Sequence, residues 1–441
     1  MSLASLKSKI KDQDARLAVI GLGYVGLPVA CSFAEKGFDV LGVDILEERI
    51  KKINQGISPI EGKEPGLAEL IEKVVGGKLL RASSDYADLA DRDIILISVE
   101  TPVDDDNKPR YRALESVLRN LGPVLKEGAL VIIESTIAPG TMKGLVAPIL
   151  EETSGKSLNA NFYLGNCPER VMPGRLLRNL REMSRVVGGM SSETADVMTD
   201  LYAQFVEGDL DPTDSTTAEL VKTAENAYRD VQIAFANEVA LISEAVGGDV
   251  WKVRELVNKS PGRNMLLPGA GVGGHCIPKD GLLLAYGAEG TDVPIRLIPA
   301  AREINEYMPI HVAEMLENAL GKLGKKLSES RVLILGYSYL ENSDDTRDTP
   351  SEKLVTDIEA RGAQVVVHDP YVLEYQGDLM SMAQGCDAAV LMVKHDEYLN
   401  LDFNQLAQQL RTDIFVDARG LFASQLEIPG FSFEVIGRGK H

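Results

Sequence analysis

The residues best equipped for chemistry sit in one short stretch, Gly269-Ala270-Gly271-Val272-Gly273-Gly274-His275-Cys276-Ile277-Pro278-Lys279-Asp280. Its glycines let a loop backbone approach a ligand closely. Cys276 follows His275 and precedes Lys279 and Asp280. A thiol beside cationic groups gives up its proton more readily, and the thiolate is the nucleophile. Taken alone, the stretch also reads as a glycine-rich turn around a buried cysteine, a small apolar filler. The rest of the chain decides between the two.

A second constellation lies near the start. Residues 17–20 are an apolar run ending in Gly21-Leu22-Gly23-Tyr24-Val25-Gly26; a helical pattern follows over 27–36, then a strand over 38–43 closing at Asp44. Strand, glycine turn, helix, strand and acid in this order predict a dinucleotide-binding unit. Gly21 makes the turn, Gly23 admits the pyrophosphate, and Gly26 lets helix and strand pack closely. Tyr24 and Val25 belong to the same turn, where the helix N-terminus faces the phosphates. Asp44 is placed for ribose hydroxyls, which favours NAD over NADP; Arg49, five residues on, is the feature that pulls the other way.

These groups need elements to hold them. Apolar runs over 93–99 and 130–133 read as strands buried on both faces of a parallel sheet. They lead into Thr101 and Thr136. Ligands of such sheets bind beyond the carboxyl ends of the strands, so both hydroxyls are cofactor-side candidates; capping of the following segments is the alternative. The loop 166–174 carries Glu169, Arg170 and Val171, with Glu169 placed to hold a water or to remain a surface acid. From 216 to 246 there is neither glycine nor proline, which predicts one long helix capped by Asp214 or Ser215. Lys222, Asn226 and Arg229 share a face of it. A further helix is expected over 308–323. Strands over 331–336, 363–367, 388–393 and 413–416, with a helix over 354–360, predict a second α/β unit without a full glycine fingerprint. Arg347 in its first loop is either a phosphate ligand or paired within the turn. The expected architecture is α/β, with two Rossmann-like doubly wound domains joined by a central helical domain: 1–210, 211–323 and 324–441. The cysteine loop is expected in the cleft between the outer two.

Composition narrows the partners. The chain has 441 residues, 44% hydrophobic and 25% charged, with a net charge of -20 and a pI near 4.8. So acidic a chain is not built for nucleic acid or anionic membrane. The four cysteines (Cys31, Cys167, Cys276, Cys386) show no CxxC pair, which fits free thiols in a reducing, cytoplasmic setting. The five histidines are dispersed, so no metal site is expected. No apolar run reaches bilayer length.

Together the segments 21–26, 98–102, 134–140, 168–174, 218–229, 271–280 and 344–350 resemble the UDP-glucose/GDP-mannose dehydrogenase family over essentially the whole chain. The resemblance implies an NAD-binding first domain, a helical dimer core and a UDP-binding last domain. It implies oxidation of a sugar C6 alcohol to the carboxylate by two NAD in succession. It casts Cys276 as nucleophile, Lys222 and Asn226 as substrate-side groups, and Asp280 as the acid beside the cysteine. Thr136 and Glu169 would hold the hydrolytic water. Lys279 falls where a lysine touches NAD, and Asp44, Arg49, Thr101, Thr136 and Arg347 on cofactor contacts. Residues 265–269, Gly273, Arg170, Val171 and Arg229 fall around the sugar nucleotide, and Arg263 near an arginine reaching in from a partner subunit.

Two departures bear on substrate. UDP-glucose enzymes usually carry a second acid where this chain has Pro173, and Arg229-Asp230 with Gly-Gly-His-Cys resembles the UDP-N-acetylhexosamine branch. UDP-N-acetylmannosamine is expected first, with the gluco and galacto isomers and UDP-glucose as alternatives. A customary phenylalanine-lysine pair is here Tyr339-Leu340, which removes one cation. Two rival readings are a two-electron hydroxyacid dehydrogenase and a non-catalytic NAD-binding protein; neither uses a glycine-bound cysteine.

Overall fold

A computed structural model describes residues 2–439 except 61, 63, 105, 172 and 173. The chain folds into two compact units, Met1–Glu225 with Leu282–Thr291, and Asn226–Gly281 with Asp292–His441.

The first unit is built on β1 (Leu17–Ile20), β2 (Val40–Val43), β3 (Leu80–Ser83), β4 (Ile94–Ile97), β5 (Ala129–Ile133), β6 (Phe162–Asn166), β7 (Arg185–Gly189) and β8 (Leu210–Asp214). Their order is β3-β2-β1-β4-β5-β6-β7-β8. Neighbours run parallel except β6 and β7. The first six strands have the order of a dinucleotide-binding sheet, whose ligand crevice opens where the chain reverses direction, beside β1 and β4. Leu17, Val19, Ile94 and Leu96 enter one core, and Ala18, Ile20, Ile95 and Ile97 the opposite one. Burial on both faces is the reason these strands are apolar at every position. The edge strand β8 is largely exposed and accommodates Pro212, as an edge can.

The second unit carries β9 (Arg331–Leu335), β10 (Gln364–His368), β11 (Ala388–Leu391), β12 (Ile414–Asp417) and β13 (Ser432–Val435). They form a parallel sheet of order β10-β9-β11-β12-β13. Val332 and Ile334 face one core, Leu333 and Leu335 the other.

The long helix Ser215–Val246 has 32 residues, about 48 Å at the usual rise. Asp214 caps it, accepting from the Thr217 amide (3.0 Å) and hydroxyl (2.6 Å). The helix expected over 308–323 is longer: it spans Leu297–Lys322 with Pro309 inside. A proline in a sequence reads as a helix start, yet here the helix continues through it. Pro309 cannot donate to the Asn305 carbonyl, and the cysteine-loop backbone packs at that break. A Cβ on Gly271 would lie 3.0 Å from the Asn305 oxygen and 3.2 Å from Pro309 Cδ, at a φ of +118°. Only glycine passes there without displacing the helix.

Among the described residues no helix is long and apolar enough to cross a membrane. No group of three or more His, Cys, Asp or Glu side chains there could hold a metal ion.

Candidate functional site

In the first unit, the turn after β1 is fixed by what surrounds each glycine. Gly21 has φ +90°, and its Cβ would fall 2.3 Å from the Ser98 carbonyl oxygen; one on Gly26 would fall 1.9 Å from the Gly21 oxygen. A Cβ on Gly23 would meet nothing within 4 Å. Gly21 and Gly26 are therefore required by packing, and Gly23 keeps the backbone accessible. Asp44, at the end of β2, accepts from the amides of Leu22 (2.8 Å) and Leu46 (2.9 Å) and pairs with Arg49 (2.9 Å). An acid anchored this way at the second strand's end, with an open glycine and a helix N-terminus at Gly26, fits a dinucleotide: pyrophosphate over the turn, ribose at the acid. Arg49 is held by Asp44.

The loops beyond β4 and β5 are stapled to one another. The Thr101 hydroxyl donates to the Thr136 carbonyl (2.6 Å), and Ser135 Oγ both accepts from the Val99 amide (3.0 Å) and donates to its carbonyl (2.6 Å). Thr101 is buried and Thr136 half-buried. The Glu169 carboxylate is tied to Arg185 (2.8 Å) and to the Arg170 amide (2.7 Å). Arg170 pairs with Glu225 (3.0 Å) and donates to the Ser184 carbonyl (3.0 Å); Val171 packs against the core. Met172 and Pro173 lie outside the described residues. Lys222 is buried on the long helix.

Sequence reasoning missed the groups beneath this loop. Buried Glu134 accepts from Ser98 (2.8 Å) and Tyr202 (2.8 Å), and Arg185 lies over the Tyr202 ring at 5.1 Å. Burial pushes the Glu134 carboxyl up to about 7; Glu169 adds to the rise, while Arg185, Ser98 and Tyr202 oppose it. A second missed residue is Glu64. It accepts from the Tyr24 hydroxyl and from the amides of Gly174 (2.6 Å) and Leu176 (3.2 Å), linking the glycine turn to the loop that carries Glu169. An arginine opening an apolar strand was a signal for the first cluster. Glu64 left none.

In the second unit, the cysteine loop hangs from a buried polar ladder. The Gly269 amide donates to Asn237 Oδ1 (2.9 Å), and Asn237 Nδ2 donates to Asn305 (2.9 Å). Asn305 Nδ2 (2.7 Å) and Arg302 (2.8 Å) both donate to Asp230. At its far end the loop docks on residues 339–350: the Gly274 amide donates to the Arg347 carbonyl (3.0 Å), and a Cβ on Gly273 would fall 2.7 Å from the Asp348 oxygen. Arg347 is paired with Asp345 through Nε (2.9 and 3.1 Å), the in-turn alternative weighed from sequence.

Cys276 immediately precedes the helix Ile277–Tyr286, and its carbonyl accepts from the Lys279 (3.2 Å) and Asp280 (2.9 Å) amides. Asn226 donates to the fully buried Asp280 carboxylate at 2.6 Å, and Lys279 Nζ stands 3.9 Å from it. His275 Nδ1 lies 3.9 Å from Cys276 Sγ. Burial first, then Lys279 and Arg347, push the His275 imidazole down to about 4, so it is neutral at physiological pH. Arg229 and Arg263 are exposed. Leu340 offers only its carbonyl, which accepts from Ser338 (2.8 Å).

Similarity to known proteins decides the family. Family models described as the UDP-glucose/GDP-mannose dehydrogenase NAD binding, central and UDP binding domains match residues 15–206, 216–307 and 333–424. The UDP-N-acetyl-D-mannosamine dehydrogenase of Pyrococcus horikoshii is 41% identical, covering 96% of this chain and 99% of that protein. A solved structure of the Pyrococcus horikoshii enzyme superposes with a TM-score of 0.90 at 40% identity, over 97% of this chain and 100% of that one. A Methanosarcina mazei NDP-N-acetyl-D-galactosaminuronic acid dehydrogenase gives 0.87 at 37%, over 100% and 99%. The chain belongs to the UDP-glucose/GDP-mannose dehydrogenase family. It is an NAD-dependent UDP-sugar dehydrogenase, and the glycine turn with Asp44 fits the cofactor its family requires.

Two measurements probe the first unit. Gly23→Ala should leave the melting temperature unchanged, because its methyl enters open space, and should weaken NAD binding about tenfold if that space admits the pyrophosphate. Gly26→Ala should instead destabilise the fold by about 2–3 kcal/mol through overpacking. Calorimetric titration and thermal melts separate the two. Glu134 gives the second test. Its folded-state pKa is raised, so the native state holds the proton more tightly than the unfolded chain. Its contribution is then fully present below the unfolded carboxyl pKa and is lost as pH rises towards 7. The melting temperature should fall from pH 5 to pH 8 less steeply in Glu134→Gln than in the wild type; parallel profiles would refute the assignment.

Proposed function

We propose that the enzyme oxidises the C6 hydroxyl of a UDP-N-acetylhexosamine, UDP-N-acetylmannosamine first, to the uronate through a covalent intermediate on Cys276. The observation that carries this reading concerns the four cysteines. Cys31, Cys167 and Cys386 are buried and Cys276 is exposed. Burial pushes the Cys31 and Cys167 thiols up to about 12. A nucleophile must be reachable and able to ionise, and those two requirements leave Cys276.

NAD at the 21–26 turn supplies a hydride acceptor for each of the two oxidations. The chain's own residues handle the carbon. The C6 alcohol first becomes the aldehyde; the Cys276 sulfur then bonds to that carbon, and its oxygen takes up a proton as a thiohemiacetal. Oxidation of this species leaves a thioester. Water attacks, the C–S bond breaks, the proton returns to sulfur, and the uronate departs. Lys222 and Asn226 would stabilise the oxyanion that develops at each addition. Asp280, bonded to Asn226, would orient that amide and order the base water. Thr136 and Glu169 would hold the hydrolytic water, with Glu169 tied to Arg185. Lys279 and Arg347, with Thr101, would contact the cofactor. Arg170, Val171, Arg229, Arg263 and Gly273 would surround the sugar nucleotide.

In this reading residues 1–210 hold NAD, 211–323 supply the cysteine and the dimer helix, and 324–441 hold the UDP moiety. The sugar class rests on the relatives, which are named for N-acetylmannosamine and N-acetylgalactosamine derivatives. A cytoplasmic, reducing setting suits a thiol that must stay free. We further propose a homodimer through the central helices. Tyr228, Phe235 and Ile242 are 65%, 57% and 54% exposed. Their spacing of seven puts them on one stripe of the long helix, a surface suited to its own copy.

The reaction is tested by NADH yield on UDP-glucose and the three UDP-N-acetylhexosamines. Two NADH per sugar on an acetamido substrate and little on UDP-glucose is expected. Cys276→Ser should bind both nucleotides but release no uronate; full turnover by that variant sinks the covalent scheme. For the assembly, Phe235→Asp should halve the mass found by light scattering, whereas an unchanged mass would place the interface elsewhere.

A further inference from the structure

The Cys276 loop does not reach its position unaided. Its docking partner, residues 339–347, is itself held from below by a buried histidine outside the proposed reaction machinery. His395 is fully buried, and its Nδ1 accepts from the Asn342 amide at 2.9 Å. That bond fixes the tautomer: Nδ1 is bare, and Nε2 carries the proton. Nε2 lies 3.1 Å from Asp369 Oδ2 and 3.4 Å from Ser338 Oγ. Asp369, also fully buried, accepts in addition from the amides of Tyr337 (2.7 Å), Ser338 (3.1 Å), Tyr371 (2.8 Å) and Val372 (3.1 Å).

The imidazole therefore bridges an immobile carboxylate and the backbone of a loop. Asn342 sits at φ +57°, a conformation that a residue other than glycine needs help to keep. Two contacts supply that help: the His395 bond and the Asn342 side-chain oxygen, which accepts from the Asp396 amide at 2.9 Å. From Asn342 the loop returns to the cysteine. The Tyr339 amide donates to the Asp345 carbonyl (3.0 Å), Asp345 holds the Arg347 guanidinium (2.9 Å), and the Arg347 carbonyl receives the Gly274 amide (3.0 Å), two residues before Cys276. The Tyr339 ring covers the other side, since a Cβ on Gly274 would lie 2.7 Å from it.

We propose that His395 is a positioning residue for Cys276, acting through the Asn342 amide and the 339–347 loop, so that loss of the imidazole acceptor displaces the thiol. The proposal rests on the reading of Cys276 as nucleophile. It assigns His395 a role that requires an acceptor at Nδ1 and a donor at Nε2; filling the space is not enough. Glutamine offers both functions on a flexible stem, whereas leucine offers neither.

The test compares His395→Leu with His395→Gln in the full-length enzyme. His395→Leu should lower kcat about tenfold or more, the scale of a small misplacement of a reacting group. The rate of Cys276 alkylation by iodoacetamide, read by mass spectrometry of the 269–280 peptide, should change in parallel. His395→Gln should restore most of both. A soluble His395→Leu with wild-type kcat and alkylation rate overturns the proposal, as does a glutamine variant as impaired as the leucine one. If His395→Leu does not fold, His395→Ala with and without added imidazole carries the same comparison: recovery of the alkylation rate supports the role, and no response refutes it. Alkylation reports on the loop whether or not the thiol is the nucleophile. A failure of the covalent scheme, seen in Cys276→Ser, is thus distinguishable from a failure of this one.

Discussion

A carboxylate at the end of the second strand, catching the first amide after a glycine turn, is the constraint on which both sheets depend. In the first unit Asp44 accepts from Leu22, just after Gly21 at φ +90°; in the second, Asp369 accepts from Tyr337, just after Gly336 at φ +93°. The turn must leave β1 or β9 sharply enough to start a new segment, and that bend leaves an amide with no strand to bond. A buried unsatisfied amide is costly, so the acid fixes the turn and the turn in turn keeps the acid buried. The two units then diverge. Asp44 ends beside Arg49 with glycines before it, whereas Asp369 is covered by His395, Ser338 and the 371–372 amides. One geometry fits a cofactor, and the other is bonded through His395 to the Asn342 amide.

The central region answers a different problem, holding a glycine-rich loop still. Four glycines within 269–274 carry a large backbone entropy, and only Ala270 and Val272 between them are buried apolar side chains. The anchors are polar and buried: Asp230, Asn237, Arg302 and Asn305, each at most 5% exposed. Within such a network each hydrogen bond polarises the next, so its members support one another. Asp230 is the member with most to lose. Burial pushes its carboxyl up, and Arg302 and Asn305 oppose that rise. Breaking a buried pair by removing one partner costs about 3–5 kcal/mol, so the ladder would fail as a unit.

Much of this was legible in the sequence, for identifiable reasons. Strands buried on both faces, β1, β4, β5, β9 and β11, announce themselves as unbroken apolar runs. The turn at 21–26 and the helix from Ser215 are marked by the presence and the absence of glycine. The edge strands β3, β8 and β13 were not readable, since their sequences Leu-Arg-Ala-Ser, Leu-Asp-Pro-Thr-Asp and Ser-Phe-Glu-Val alternate or lack an apolar face. The start of the helix at Leu297 was hidden by Pro309, whose missing hydrogen bond is compensated by tertiary packing that no local pattern encodes. The individual candidates for chemistry were visible as residue types. Their supports were not, because Glu134 meets Tyr202, Glu64 meets Gly174, and His395 meets Asn342 across 68, 110 and 53 positions.

That asymmetry follows from what each kind of residue must do. A group that meets substrate is chosen for its chemistry, so its type and its immediate neighbours carry the message. A group that holds another in place is chosen for distance, and many types can meet a distance. Arg185 illustrates the point: nearly fully buried, it pairs with Glu169 and lies over the rings of Tyr202 and Phe205. Its partners sit in two different segments, the loop after β6 and residues 202–205, that only the closed sheet brings together. A guanidinium is a sound choice for that position because it stays charged when buried and spreads its charge over a flat surface that stacks on aromatic faces. With a lysine there, the pair would lose the stacking contacts on Tyr202 and Phe205. The loop acid is thus held by a residue whose identity is explained only by the fold.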